Sequence, residues 1–314
     1  MELEIQKFHP IFDGIKIGIG TWAWGDRLYW GFGSTYAEKD IQEAFKSCLE
    51  NGILFFDTAE VYGQGKSELI LGELIKKSKF KCIIASKIMP FPWRLNHKSF
   101  SKALKSSLDR LNLRKIDLYQ LHMPLPPLRI ETWMQYMADA KHQELISAVG
   151  VSNFNAEQTH RAYEALAKQG VNLASNQVEY SLLNREIEEN GVLKTCNDLG
   201  VKCIAYSPIG MGILSGKYTD ENPLKGMRAS KFSKVDLLRL RPLIETLKKI
   251  GADHGGKSAS QVAINWVISK GALPIPGVKN LDQAFQNSSV LNWRLDANEV
   301  ARLDDISAKV IKKS

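Results

Sequence analysis

Residues Ile53–Gly63 read ILFFDTAEVYG, and the folding of this stretch decides the architecture. Four consecutive apolar residues lead straight into Asp57, with no alternation of polar positions. A run of that kind fits a strand buried on both faces, as in parallel sheets. An ionisable residue at its carboxyl end, with Tyr62 just beyond, stands where α/β folds present their chemistry.

Equivalent runs occur at Ile15–Gly20, Cys82–Lys87, Ile116–His122, Ile146–Ser152, Leu173–Val178, Val201–Tyr206 and Ala272–Ile275. The first residues of the eight runs are 38, 29, 34, 30, 27, 28 and 71 positions apart. Six of these intervals suit one strand, one helix and a return loop, which together need roughly 30 residues. Helical periodicity fills the gaps at Glu38–Asn51, Ser67–Lys77, Phe100–Leu111, Asn155–Gln169 and Glu186–Leu199, with glycine following three of them. Eight such units close into a (β/α)8 TIM barrel; an open doubly wound sheet is the competitor.

The expected architecture is one barrel domain over residues 1–314. Residues 1–14 are read as an N-terminal hairpin closing the barrel bottom, and Asp296–Val310 as a C-terminal helix. The long interval after strand 7 holds a glycine-rich loop (Pro208–Gly216), a basic loop (Lys225–Lys234) and helices near Val235–Ile250 and Ser258–Ser269. An insertion there lies on the face where barrels carry their active sites.

Bulk composition mainly excludes. The 314 residues carry 42 Lys+Arg against 34 Asp+Glu, a net charge of +8, with the basic residues scattered along helices. That pattern reads as a solvated surface and not as a nucleic-acid interface. No apolar stretch of roughly 18 residues marks a membrane span. The start, MELEIQKFHP, lacks a signal-peptide core, and the four cysteines contain no CxxC. A cytoplasmic chain with reduced thiols, no metal centre, no membrane and no nucleic-acid partner is expected, a monomer or weak homo-oligomer.

Two motifs mislead. Gly18-Ile-Gly20-Thr-Trp-Ala23 matches a dinucleotide fingerprint, but Trp24–Gly33 reads as loop where that motif needs a helix N-terminus. Gly65-Lys66-Ser67 resembles the end of a phosphate loop, yet Glu60 occupies the position of its first glycine.

Four residues converge at strand ends: Asp57, Tyr62, Lys87 and His122. A phenol is a poor acid at neutral pH, and a neighbouring ammonium lowers its pKa. Lys87 is expected to do this for Tyr62, with Asp57 holding the lysine and His122 donating to a substrate oxygen. The set suits protonation of a carbonyl oxygen while a redox cofactor delivers hydride.

Asp57-Thr-Ala-Glu-Val-Tyr62-Gly, Ala85-Ser-Lys87, Leu121-His122, Gly150-Val-Ser-Asn153-Phe and Ile275-Pro-Gly-Val-Lys-Asn280 resemble the aldo-keto reductase superfamily, in order along most of the chain. The resemblance implies NADP(H) binding without a Rossmann fold, a small carbonyl substrate, and Tyr62 as the acid. It also implies cofactor contacts from Thr21, Trp22, Ser152, Asn153, Gln177, Tyr206, Ser207, Pro208, Gly210, Gly212, Leu214, Lys217, Gly277, Lys279, Gln283 and Asn287. Ser152, Asn153 and Gln177 would hold the carboxamide, Tyr206 would stack on the nicotinamide, and Lys279 would meet the 2′-phosphate. Gly20–Gly25, Trp30-Gly31 and Phe91–Leu95 resemble the plant-type branch that includes pyridoxal reductase, with Trp24, Trp30 and Trp93 as substrate-pocket candidates. The short segment Tyr62–Ser67 implies a wide mouth. The superfamily also covers NADP(H)-binding regulatory subunits with little turnover, which is the alternative reading.

Overall fold

The computed structural model describes residues 8–224, 229 and 232–311. Eight parallel strands form one sheet in sequential order: β1 (Gly18–Gly20), β2 (Phe55–Asp57), β3 (Ile83–Ile88), β4 (Ile116–Leu121), β5 (Ile146–Ser152), β6 (Leu173–Glu179), β7 (Lys202–Tyr206) and β8 (Leu273–Pro274). The ring closes through a parallel bridge between Gly20 and Gly277, with the Gly20 amide donating to Pro276 O at 3.0 Å. This is a (β/α)8 TIM barrel.

The two glycines of the fingerprint-like motif serve that closure. A Cβ on Gly18 would sit 2.5 Å from the Phe55 ring, and one on Gly20 would sit 2.9 Å from Ile275 O. β1 is therefore squeezed between β2 and the β8 side, and no helix follows it until Glu38. The dinucleotide reading is excluded by geometry.

Around the sheet run α1 (Glu38–Glu50), α2 (Lys66–Lys77), α3 (His97–Leu111), α4 (Ile130–His142), α5 (Ala156–Ala167), α6 (Glu186–Glu189), α7 (Val192–Asp198), α8 (Lys234–Asp253), α9 (Ala259–Ser269), α10 (Leu281–Ser288) and α11 (Ala297–Val310). Side chains of Asn96, Asn155, Ser233, Ser258 and Asp296 accept the amide three residues on, starting α3, α5, α8, α9 and α11 as capping boxes. The single helix expected over Glu186–Leu199 is two, because Gly191 takes a left-handed φ of 83° between them. The expected insertion after strand 7 is present, carrying α8 and α9. Part of its basic loop, residues 225–228 and 230–231, lies outside the described residues.

The first arm of the expected N-terminal hairpin, residues 1–7, also lies outside them. The remainder corrects that expectation: Pro10–Phe12 is a 3-10 turn, with proline fixing its start. Its Phe12 plugs the barrel, packing with Phe55, Ala85, Leu118, Ala148, Ala174, Ile204 and Leu273, one inward residue from each of seven strands. Side chains on a strand alternate with a period of two. Two residues beyond Phe55, Ala85 and Leu118, the same inward parity delivers Asp57, Lys87 and Gln120.

Candidate active site

Asp57, Lys87 and Gln120 meet above the apolar floor, all essentially inaccessible to water. Lys87 Nζ donates to Asp57 Oδ1, to Thr58 O at 3.0 Å and to Tyr62 Oη at 3.2 Å, using its three N–H groups. Asp57 Oδ2 accepts from Gln120 Nε2 at 3.0 Å and from Gln177 Nε2 at 2.8 Å. Every charge in this triplet is met by an opposite charge or a hydrogen bond, the condition for burying an ion pair.

Tyr62 opens a 3-10 turn after β2, within which Gly63 and Gln64 adopt left-handed φ of 55° and 58°. The turn is pinned from behind by Ser67, whose hydroxyl bonds Thr21 Oγ1 at 2.7 Å and Thr58 Oγ1 at 2.9 Å. The phosphate-loop look-alike is thus a hydroxyl clamp between the β1 and β2 loops. On the other side, Glu60 accepts from the Met89 amide and from both terminal nitrogens of Arg94, tying the Tyr62 loop to the β3 loop.

The electrostatics correct one expectation. Burial pushes the Tyr62 phenol above its ordinary value; Lys87 pulls it down through charge and hydrogen bond, Asp57 pushes it up, and the net direction is upward. Burial disfavours the Lys87 ammonium, but Asp57 and Tyr62 outweigh it and raise its pKa. His122 lies edge-on to Tyr62, ring centroids 5.8 Å apart. Burial and then Lys87 lower its pKa to about 3, so it is a neutral imidazole. Its Nδ1 is buried with no hydrogen-bond partner among the described residues.

The expected carboxamide contacts form one connected network beside this centre. Asn153, at a left-handed φ of 60°, donates from Nδ2 to His122 O and Ser152 Oγ, each at 3.1 Å, and accepts from Tyr206 Oη at 3.0 Å. Ser152 Oγ donates to Gln177 O at 2.9 Å. Gln177 is thereby shared between this network and Asp57. After β7, left-handed residues recur at Ser207, Gly210, Met211, Gly212 and Gly216. Such backbone turns its amides to one side and cradles anions. Within that loop Pro208, Gly210 and Leu214 are buried, while Lys217 beyond it is exposed.

At the β8 end, Gly277 is exposed, and Gln283 Oε1 accepts the Lys279 amide at 2.9 Å. Asn287 is buried, its Nδ2 reaching Gly277 O at 3.4 Å. Thr21 is fully buried, its hydroxyl spent on Asp57 O at 2.9 Å and on Ser67. Its side chain therefore ties the ends of β1 and β2 together.

The aromatic wall differs from expectation. Trp24 is fully buried, its Nε1 donating to Val278 O at 2.8 Å and its ring against Phe45 and Phe56, so it lines no pocket. The turn closed by the Trp24 amide on Thr21 O swings this side chain behind the barrel. Trp22 faces the site instead, 6.3 Å from Tyr62, stacked on Tyr29 and met edge-on by Trp30. Trp93 is 70% exposed and stacks on Phe91. Sequence reading missed Gln120, Ser67 and Glu60. Only Gln120 carried a signal, its parity with the inward Leu118.

The chain matches the aldo/keto reductase family model over residues 16–308. The chloroplastic pyridoxal reductase of Arabidopsis thaliana is 38% identical over 95% of this chain and 84% of its own length. Among solved structures, the glycerol dehydrogenase of Gluconobacter oxydans superposes with a TM-score of 0.84 at 25% identity, covering 99% of this chain and 98% of that one. A Klebsiella pneumoniae aldo/keto reductase in complex with NADP and acetate has a TM-score of 0.73 at 24% identity over 95% and 93% of the two chains, a likeness of fold. Barrel, buried Asp57–Lys87 pair bonded to Tyr62, and family match agree: the chain is an oxidoreductase and belongs to the aldo/keto reductase family.

Proposed function

We propose that the protein reduces aldehydes or ketones to alcohols with NADPH, Tyr62 giving the proton. One observation carries the reading: Tyr62 Oη accepts from the buried Lys87 ammonium at 3.2 Å. An oxygen that accepts from Lys87 keeps its own hydrogen for another acceptor. A carbonyl oxygen placed between Tyr62 and His122 would take that proton, and Lys87 would stabilise the phenolate left behind. His122, neutral and edge-on to Tyr62, suits a hydrogen bond to the same oxygen.

The bound cofactor would supply hydride to the carbonyl carbon. Ser152, Asn153, Gln177 and Tyr206 suit its carboxamide and ring, the left-handed loop Ser207–Lys217 its pyrophosphate, and Lys279, Gln283 and Asn287 its adenosine 2′-phosphate end. Recurrent positive φ in that loop, next to the exposed Lys217, is what an anion cradle requires.

Trp22, Tyr29, Tyr62 and His122 form an aromatic flank that suits flat aromatic aldehydes. The relative's name makes pyridoxal the first substrate to try. NADPH consumption with a panel of aromatic aldehydes including pyridoxal tests this reading. Wild-type activity in Tyr62→Phe would overturn the mechanism. A stoichiometric NADP(H) complex that turns over none of the panel would favour the sensing role instead.

A further inference from the structure

Lys279 Nζ lies 4.5 Å from the Trp30 ring centroid and 5.0 Å from that of Tyr36. The two rings come from the β1 loop and the lysine from the β8 side, so this contact spans the seam of the barrel. Both halves are held independently of it. Asp26 Oδ1 accepts the amides of Tyr29 at 2.7 Å and Trp30 at 3.0 Å, and the Tyr36 hydroxyl donates to Ala23 O. Gln283 fixes the Lys279 backbone.

A ring face attracts an ammonium through its quadrupole and takes up none of its N–H donors. It also restricts a long stem that would otherwise sample many rotamers, which reduces the ordering a ligand must impose. Lys217 is the contrast: exposed, and 5.9 Å from one ring among the described residues, that of Tyr218.

We propose that Trp30, with Tyr36, is a positioning residue for cofactor choice: the two rings pre-order the Lys279 ammonium for a phosphate monoester. Trp30 thereby leaves the substrate-pocket assignment and becomes a determinant of 2′-phosphate recognition. The inference rests on the reading that Lys279 meets the 2′-phosphate. Trp30 also touches Trp22 edge-on at 5.4 Å, and Trp22 lies against Tyr62, so the same side chain joins the phosphate end to the catalytic wall.

The test uses ligands that cannot turn over. Adenosine 2′,5′-bisphosphate and adenosine 5′-monophosphate are titrated calorimetrically into the wild type, Trp30→Leu, Trp30→Phe and Lys279→Met. Trp30→Leu should cut the preference for the bisphosphate by about threefold to tenfold while monophosphate affinity stays put. Trp30→Phe keeps a ring face and should hold the preference within about twofold. A wild-type preference in Trp30→Leu, with Lys279→Met losing it, overturns the ring proposal alone. An unchanged preference in Lys279→Met overturns the phosphate reading beneath it.

Discussion

Tyr62 is held as a phenol, and the pH dependence of catalysis should show it. Burial leads the upward shift of its pKa, so the form able to donate is present at every pH below the ordinary value of about 10. Carbonyl reduction should therefore hold through neutral pH and fall only as pH rises beyond that value, read as log kcat/KM against pH. His122 behaves oppositely. Its folded pKa of about 3 lies below the unfolded value of 6.5, so the unfolded chain takes up a proton that the fold refuses. The stability this supplies is complete above pH 6.5 and drains away as pH falls toward 3. Melting temperature should decline across that window, and His122→Asn should flatten the decline. Asp57→Asn removes the counter-charge of a fully buried Lys87. It should cost about 3–5 kcal/mol in a denaturant titration, because the ammonium is left buried and uncompensated.

At the scale of elements, the crowded one is β1. Gly20→Ala would place a methyl 2.9 Å from Ile275 O, a backbone atom that cannot rotate aside. A loss of about 1–3 kcal/mol is expected in thermal or denaturant unfolding; full wild-type stability would contradict the tight closure. Most elements were legible because they obey local rules. Continuous apolar runs gave strands ending within a residue or two of those observed, and Asn155, Ser258 and Asp296 marked helix starts through their side-chain caps. What local rules miss is tertiary. Trp22 and Trp24 are two residues apart on a turn, and which faces Tyr62 depends on how the loop rolls against α1 and α2. The break at Gly191 does carry a local signal, the Asn190-Gly191 turn dipeptide, which a reading of Glu186–Leu199 as one helix runs through. Ser67 looked like phosphate-loop chemistry because its partners, Thr21 and Thr58, come from two other segments.

For the whole molecule, the identities of Asp57, Tyr62, Lys87 and His122 were readable from spacing because a barrel brings all strand ends to one face. Their protonation states were not, since these depend on how much water the finished fold excludes. Among the described residues no helix is long and apolar enough to cross a membrane. The ring itself is uneven. β4 and β5 pair over five register positions, whereas β7 and β8 share two and β1 is bridged once, to Gly277 just beyond β8. Amide hydrogen exchange measures this: Gly20, whose amide bonds Pro276 O across the seam, should exchange well before Val149 and Val151, since opening there breaks fewer pairings. Equal protection around the ring would contradict a weak seam. A ring with one thin joint behaves like a split collar, able to spring apart there while the other seven junctions stay shut. The cation seated on Trp30 bridges that split, so whatever engages Lys279 also tightens the collar, and cofactor occupancy should slow exchange at Gly20.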